Sequence, residues 1–212
     1  MPFNKQKISA AMGLSGFDRW RPAVDVPDLV RPRQRPDDLP GEGRQAAVMV
    51  LLFPDGLDFH SDTNLVLTRR HDHLTNHAGQ ISLPGGRQEE GESLIRTALR
   101  ESTEEIGVLA EKIEVLGKLN QVYVPPTDFT VVPFVGWHDD PPEFIRSESE
   151  VAEIIETSLE HLLRPETLVH GTINTEDGTE LLVPYYQVED HRVWGATAII
   201  LSELIERLRQ VS

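Results

Sequence analysis

The sequence predicts an α/β fold, with helices packed on a mixed sheet. Three observations carry that expectation. Residues 46–53 (Ala-Ala-Val-Met-Val-Leu-Leu-Phe) form an unbroken apolar run of the length of a buried strand. Residues 93–106 carry apolar side chains at helical steps between strand-like segments. No composition break, repeat or low-complexity tract divides the chain, so elements of both kinds share one core.

Taken in order, Lys5 to Met12 reads as a short helix stopped by Gly13. Residues 21–44 hold five prolines (Pro22, Pro27, Pro32, Pro36 and Pro40) among charged residues, the pattern of an extended arm. The division expected is therefore 1–44, a helix and proline-rich arm, and 45–212, a folded domain. Such an arm can wrap the domain or cover part of a partner in a homodimer. Asn64 to Arg69 is a second strand, and Arg70 to Gly79 is polar and irregular. Pro84-Gly85-Gly86 forces a turn. Beyond the helix at 93–106, Gly107 is a C-terminal stop. Ile113–Leu119 and Thr130–Trp137 read as strands, with a loop at Pro125–Asp128 between them. Val151–Leu163 fits either one helix or a strand to Glu156 followed by a helix. Leu181–Gln187 is a strand. The chain closes on a helix whose stripe includes Ile200, Leu201, Leu204 and Leu208.

Composition narrows the function. The 212 residues carry 20 Lys and Arg against 35 Asp and Glu, a formal charge of −15. A surface of that sign does not favour nucleic acid or anionic lipid, which need basic patches. No apolar run is long enough to span a bilayer. The opening Met-Pro-Phe-Asn-Lys-Gln-Lys has no apolar signal core, so the expected location is cytoplasmic. The absence of cysteine excludes disulfides, thiolate metal sites and a cysteine nucleophile.

The helix at 93–106 holds an internal conflict. Leu94, Ile95, Ala98, Leu99 and Ile106 form its apolar stripe, while Glu101, Glu104 and Glu105 gather within about a third of a turn. Like charges at these spacings repel by a few tenths of a kcal/mol. Acids near a helix C-terminus also oppose its dipole. A solvated acidic face, with Arg96 and Arg100 each four residues from an acid (Glu92 and Glu104), is the plain alternative. A divalent cation would also resolve the conflict, since Mg²⁺ takes oxygen ligands, often one or two carboxylates together with substrate phosphates; for the cluster alone the solvated face is the ordinary reading, and the flanking residues decide against it.

The flanking residues complete a pattern. Gly86 is followed after five residues by Glu92, after seven more by Arg100-Glu101, then by Glu104, Glu105, Gly107 and Val108. This resembles the Nudix box, Gly-x5-Glu-x7-Arg-Glu-U-x-Glu-Glu-x-Gly-U, with U a bulky apolar residue. It matches at every fixed charged and glycine position. Ser102 stands where U is expected, which weakens a packing position and leaves the chemistry alone. The resemblance implies an α/β/α sandwich and hydrolysis of a diphosphate linked to another group, with Mg²⁺ or Mn²⁺. It also implies roles: Glu101 and Glu105 as principal metal ligands, Glu104 as a further ligand or the base that orients water, Arg100 as the residue that holds the glutamates by hydrogen bonds, and Glu92 as a support for the loop. Gly85 and Gly86 would let backbone approach metal and phosphates.

A narrower resemblance reaches from about Ala46 to about Leu208. Leu67-Thr68-Arg69-Arg70 and His77-Ala78-Gly79-Gln80-Ile81-Ser82-Leu83-Pro84-Gly85-Gly86 are similar to the upstream signature of the coenzyme A pyrophosphatase branch. Val132–Gly136, Glu150–Ile154 and Arg192–Ala198 resemble it in outline. The chain departs from that branch at His71, usually a small residue, at Thr75, usually a second arginine, and at Leu83, usually phenylalanine. The branch implies coenzyme A or an acyl or oxidised form as substrate, with adenosine 3′,5′-bisphosphate and 4′-phosphopantetheine as products, and the family implies a homodimer. Arg69 and Arg70 are candidates for the substrate phosphates, against pairing with surface acids. Glu150 is a candidate fourth acid, for metal or base, with Glu148 and Glu153 as competitors and a plain surface acid as the ordinary reading of any one of them. His73 and His77 are loop or substrate-side residues rather than zinc ligands, and Trp194-Gly195 packs the last helix. Other diphosphates remain open: NADH, ADP-ribose, or nucleoside di- and triphosphates. A binding module on the same fold is a third class; such proteins commonly lose box acids, and this chain keeps them all.

Overall fold

The computed structural model describes residues 3–17, 35–37, 39, 41, 43–56, 62–72, 79–174, 178 and 180–211. Most of the proline-rich stretch, together with Thr75, His73 and His77, lies outside them.

Strand β1 (Arg44–Pro54) is the centre of the molecule. It runs parallel to β7 (Phe129–Trp137) and antiparallel to β2 (Thr63–Arg70) and β4 (Gly85–Arg87). The sheet is extended by β3 (Ile81–Ser82) and β8 (Val151–Ser158) on β2, and by β5 (Glu114–Lys118) and β6 (Val122–Val124) on β7. It is thus a mixed eight-stranded sheet.

The apolar run in β1 divides by strand alternation between two cores. Ala47, Met49, Leu51 and Phe53 pack with Ala98, Ile106 and Val108 under helix α2 (Leu94–Ile106). Val50 and Leu52 face the other way, toward α1 (Lys5–Met12) and the last helix. The result is helix, sheet, helix.

The segment at 151–163 resolves into β8 followed by the short helix α3 (Leu159–Leu163), with Ser158 capping His161 N–H. Beyond it lies a second, three-stranded antiparallel sheet of β9 (Leu168–Asn174), β10 (Glu180–Val188) and β11 (His191–Val193). Of these three, only β10 matches a strand expected from the sequence, Leu181–Gln187. Tyr186, Val188 and Val193 bind this sheet to the core of α4 (Gly195–Arg209).

Helix α1 shares that core through Ile8 and Ala11. Arg207 of α4 ties it there, donating from Nη1 to Ala11 O at 3.5 Å, and is held by a buried ion pair within α4. Glu203 accepts from Arg207 at 2.9 and 3.0 Å and from Asn120 N–H at 3.0 Å, and the Arg207 guanidinium stacks on the Phe17 ring at 4.1 Å. With its partners bonded, this buried charge is compensated.

Candidate active site

Helix α2 begins after Ser93 and ends at Gly107, whose φ of 74° is the left-handed cap that glycine adopts without strain. Ala98 and Ile106 are fully buried, whereas Ile95 is at the exposed end of the expected stripe. Ser102 is also fully buried. Its hydroxyl donates to Ala98 O at 2.7 Å, so the polar residue is satisfied where a larger apolar one was expected.

The helix sets its three acids at graded depths. The side chain of Glu105 is 3% exposed, that of Glu101 13%, and that of Glu104 55%. Strand β4 lies against them. Gly85 N–H donates to Glu105 Oε2 at 3.2 Å. A Cβ at Gly86 would collide with the Glu101 carboxylate, and one at Gly85 with Ala47 O and Val48. Gly86 is needed for the close approach of backbone to the Glu101 carboxylate, and Gly85 for that of β4 to β1.

Arg100 organises the group. Its Nε and Nη2 donate to the two oxygens of Glu92 at 3.1 and 3.2 Å. Nη1 donates to Glu101 Oε1 at 2.8 Å and Glu104 Oε2 at 2.9 Å, and Nη2 also reaches Arg87 O at 3.2 Å. These contacts use all five N–H groups of the guanidinium. Arg100 therefore has no donor left for a substrate phosphate. Its guanidinium holds Glu92 down to about 2. Glu92 in turn takes Thr97 Oγ1 at 2.8 Å and Glu89 N–H at 3.3 Å, fixing the turn into α2.

The other two acids shift the opposite way. Burial raises Glu101. Burial pushes Glu105 up to about 8, because one N–H and the Arg70 guanidinium, with Nη1 at 3.7 Å, only partly replace water. The charge of Glu150, at the entry to β8, adds to both shifts. Glu150 is exposed, and its carbonyl accepts from His71 N–H at 3.1 Å.

Arg69 and Arg70 part company, as neighbours on a strand must. Arg70 faces Glu105. Arg69 turns away, donating to Asp72 at 3.0 Å and lying 3.6 Å from Glu153. Glu153, also 3.4 Å from His191, belongs to that other side, and Glu148 is exposed. Trp194 precedes α4 as its N-cap. The structure thus brings together Glu101, Glu104, Glu105, Arg100, Arg70, Gly85, Gly86 and the nearby Glu150, and leaves Arg69 outside.

The residues suit a hard divalent cation. Their donors are oxygens, and the buried Glu105 has only one N–H and a guanidinium at 3.7 Å beside it. Among the described residues no three acid or histidine side chains converge tightly enough to enclose an ion alone. Arg100 draws Glu101 and Glu104 toward itself, and substrate oxygens and water complete such a shell in Mg²⁺ sites.

Residues 43–179 match the model of the NUDIX domain. Nudix hydrolase 3 of Caenorhabditis elegans is 31% identical over 202 residues, covering 88% of this chain and 80% of its own. The uncharacterized Nudix hydrolase NudL of Yersinia enterocolitica is 34% identical over 175 residues, covering 82% and 86%. Among solved structures, a MutT/nudix family protein from Enterococcus faecalis superposes with a TM-score of 0.50 at 23% identity, over 84% of this chain and 64% of that one. A MutT protein from Methanosarcina mazei Go1 gives 0.50 at 18% identity, over 81% and 96%. No helix among the described residues is long and apolar enough to cross a membrane. The chain belongs to the Nudix hydrolase family, pyrophosphohydrolases of nucleoside diphosphate derivatives that generally use a divalent cation.

Proposed function

We propose that this enzyme hydrolyses the diphosphate of coenzyme A or one of its derivatives, releasing adenosine 3′,5′-bisphosphate and 4′-phosphopantetheine. The observation that carries the reading is where the branch-like residues fall. Leu67–Arg70 ends β2 beside the carboxylates, Gly79–Gly86 forms β3 and β4 at the same edge, and β11, with Val193, packs beside β3. Of the stretches that resemble the coenzyme A branch, those that supply Arg70, Gly85, Gly86 and Glu150 therefore border the site, while Val193 of β11 packs in the core on the other face of the sheet.

Glu101 and Glu105 would hold Mg²⁺ or Mn²⁺, with Glu104 as a third oxygen donor. When bound, the cation neutralises phosphate oxygens and acidifies water. Arg100, fully engaged by Glu92, Glu101, Glu104 and Arg87 O, keeps the carboxylates in place. Among the described residues Arg70, beside Glu105, is the arginine we assign to meet a substrate phosphate. Glu104 and Glu150, the two exposed acids of the group, are the candidates to take the proton of the attacking water. Gly85 and Gly86 keep β4 free of side chains where the diphosphate must approach. The site needs no second chain for these roles; a homodimer through the proline-rich arm is a separate proposal, to be read by sedimentation.

One observation favours a second reading. Arg69 is paired with acids and Thr75 replaces the branch's second arginine, so the phosphate clamp is thinner than the branch implies. That fits NADH or ADP-ribose as well. Coenzyme A, NADH, ADP-ribose and nucleoside triphosphates, each assayed with Mg²⁺ and Mn²⁺ and with products identified by mass, separate the readings. A clear preference for coenzyme A supports the first; turnover no faster than that of NADH or ADP-ribose refutes it.

A further inference from the structure

The segment Ile145–Glu150 is built as a bracket between the end of α2 and the start of β8. Ile145 N–H donates to Ile106 O at 3.0 Å, and Ser147 N–H donates to the backbone carbonyl of Glu105 itself at 2.9 Å. Val151 N–H returns to Ser147 O at 3.0 Å, and Glu150 N–H to the same oxygen at 3.4 Å. The approach depends on Gly107, where a Cβ would come within 2.8 Å of Ile145 Cβ and 3.0 Å of its carbonyl.

Where the bracket enters β8, the pairing with β2 slips. Arg69 opposes Glu153 but Arg70 opposes Val151, so Ala152 is the extra residue of a bulge. Bulges next to active sites re-aim side chains. Here it lies between Glu150 and the rest of β8. Arg146 spans it: Nη1 donates to Val151 O at 3.0 Å and Ala152 O at 3.1 Å. Carbonyls freed from a ladder by a bulge need donors, and a charged donor is among the strongest available.

We propose that Arg146 is a positioning residue for the reaction: by clamping the bulge at Val151 and Ala152 it fixes Glu150 opposite the Glu101–Glu105 pair. The inference rests on the reading that Glu150 takes part in turnover. Arg146 touches neither substrate nor cation in this scheme. Its effect passes through the backbone of the residue after Glu150, while the bracket ties that backbone to the carbonyl of Glu105.

The test uses the full-length chain with variants Arg146→Ala, Arg146→Lys, Glu150→Gln and the double Arg146→Ala/Glu150→Gln. Rates and KM are measured on whichever diphosphate is turned over, and thermal stability is measured in parallel. Arg146→Ala is expected to lower kcat about 10- to 100-fold, the range seen when outer-shell supports are lost, with KM within about threefold and the fold intact. Arg146→Lys, which keeps a charged donor, should recover most of the rate. In the Glu150→Gln background, Arg146→Ala should add no more than about twofold, because both act through one carboxylate. Full multiplicative losses in the double variant overturn the proposal, as does a normal kcat in Arg146→Ala beside an impaired Glu150→Gln. A normal rate in Glu150→Gln instead removes the reading on which the proposal stands, and the proposal falls with it. An Arg146→Ala protein that unfolds leaves the Arg146→Lys pair of measurements to decide: a rate with Lys no better than about a hundredth of wild type refutes the clamp.

Discussion

Replacing Glu105 with Gln should make the cation-free protein more stable while disabling it. Gln is nearly isosteric and keeps an oxygen for Gly85 N–H, so the main change is loss of a buried charge. Burial raises Glu105 from the ordinary 4.5 to about 8. A raised folded-state value means that this group favours folding fully below about pH 4.5 and loses that contribution as pH rises toward 8. The stability of wild type relative to Glu105→Gln should therefore fall across that window and level off above it. The full shift corresponds to at most about 5 kcal/mol, at ~1.4 kcal/mol per pH unit. Water penetration and relaxation reduce such penalties, so about 1–3 kcal/mol is the working expectation at pH 8.5. Chemical denaturation with a chelator present, at pH 5 and pH 8.5, reads the difference directly. Near-equal stabilities at pH 5 and a more stable variant at pH 8.5 are expected. A variant less stable at pH 8.5, or a difference that ignores pH, would refute the burial argument. Turnover by the same variant should fall more than about 100-fold, since even outer-shell losses cost about 10- to 100-fold.

Two other predictions follow from the same geometry. Binding of Mn²⁺ at pH 6–7 should release about one proton, because the raised Glu105 must ionise to coordinate, and the release should fade above pH 8; calorimetry in buffers of different ionisation enthalpy measures it, and constant release at pH 9 would count against the role of Glu105. Gly107→Ala should cost about 2 kcal/mol or more in denaturant, from the left-handed cap and the contact with Ile145, and should lower kcat as the 145–150 segment lifts; a neutral substitution would contradict the close approach.

Much of the site was legible because a helix turns spacing into geometry. The steps from Glu101 to Glu104 and Glu105 place three acids together in any α-helix, and the glycine–glycine turn before them brings backbone near. Their depths were not legible. That Glu105 is buried while Glu104 is half exposed depends on how β4 and β1 lie against α2, which is tertiary. The pairing of Arg100 with three acids at once is of the same kind, since Glu92 comes from the preceding loop. Arg69 and Arg70 were separable in principle: strand alternation alone sends neighbours to opposite faces, and only the face of Val66 leads to α2. The bracket around Arg146 carries no periodicity, so nothing in 143–150 announces that it returns to Glu105. Only β10 of the second sheet was legible, because β9 is polar in part, β11 has three residues, and both are held by pairing to β10 rather than by their own pattern.

We propose that Glu101 and Glu105 together hold a divalent cation for diphosphate cleavage. The most direct test is the Mn²⁺ binding isotherm of wild type and Glu105→Gln, read by electron paramagnetic resonance at pH 8.5, where Glu105 is largely ionised without help. Saturable binding to wild type and at least about tenfold weaker binding to the variant are expected. Equal affinity in the two proteins would contradict the assignment.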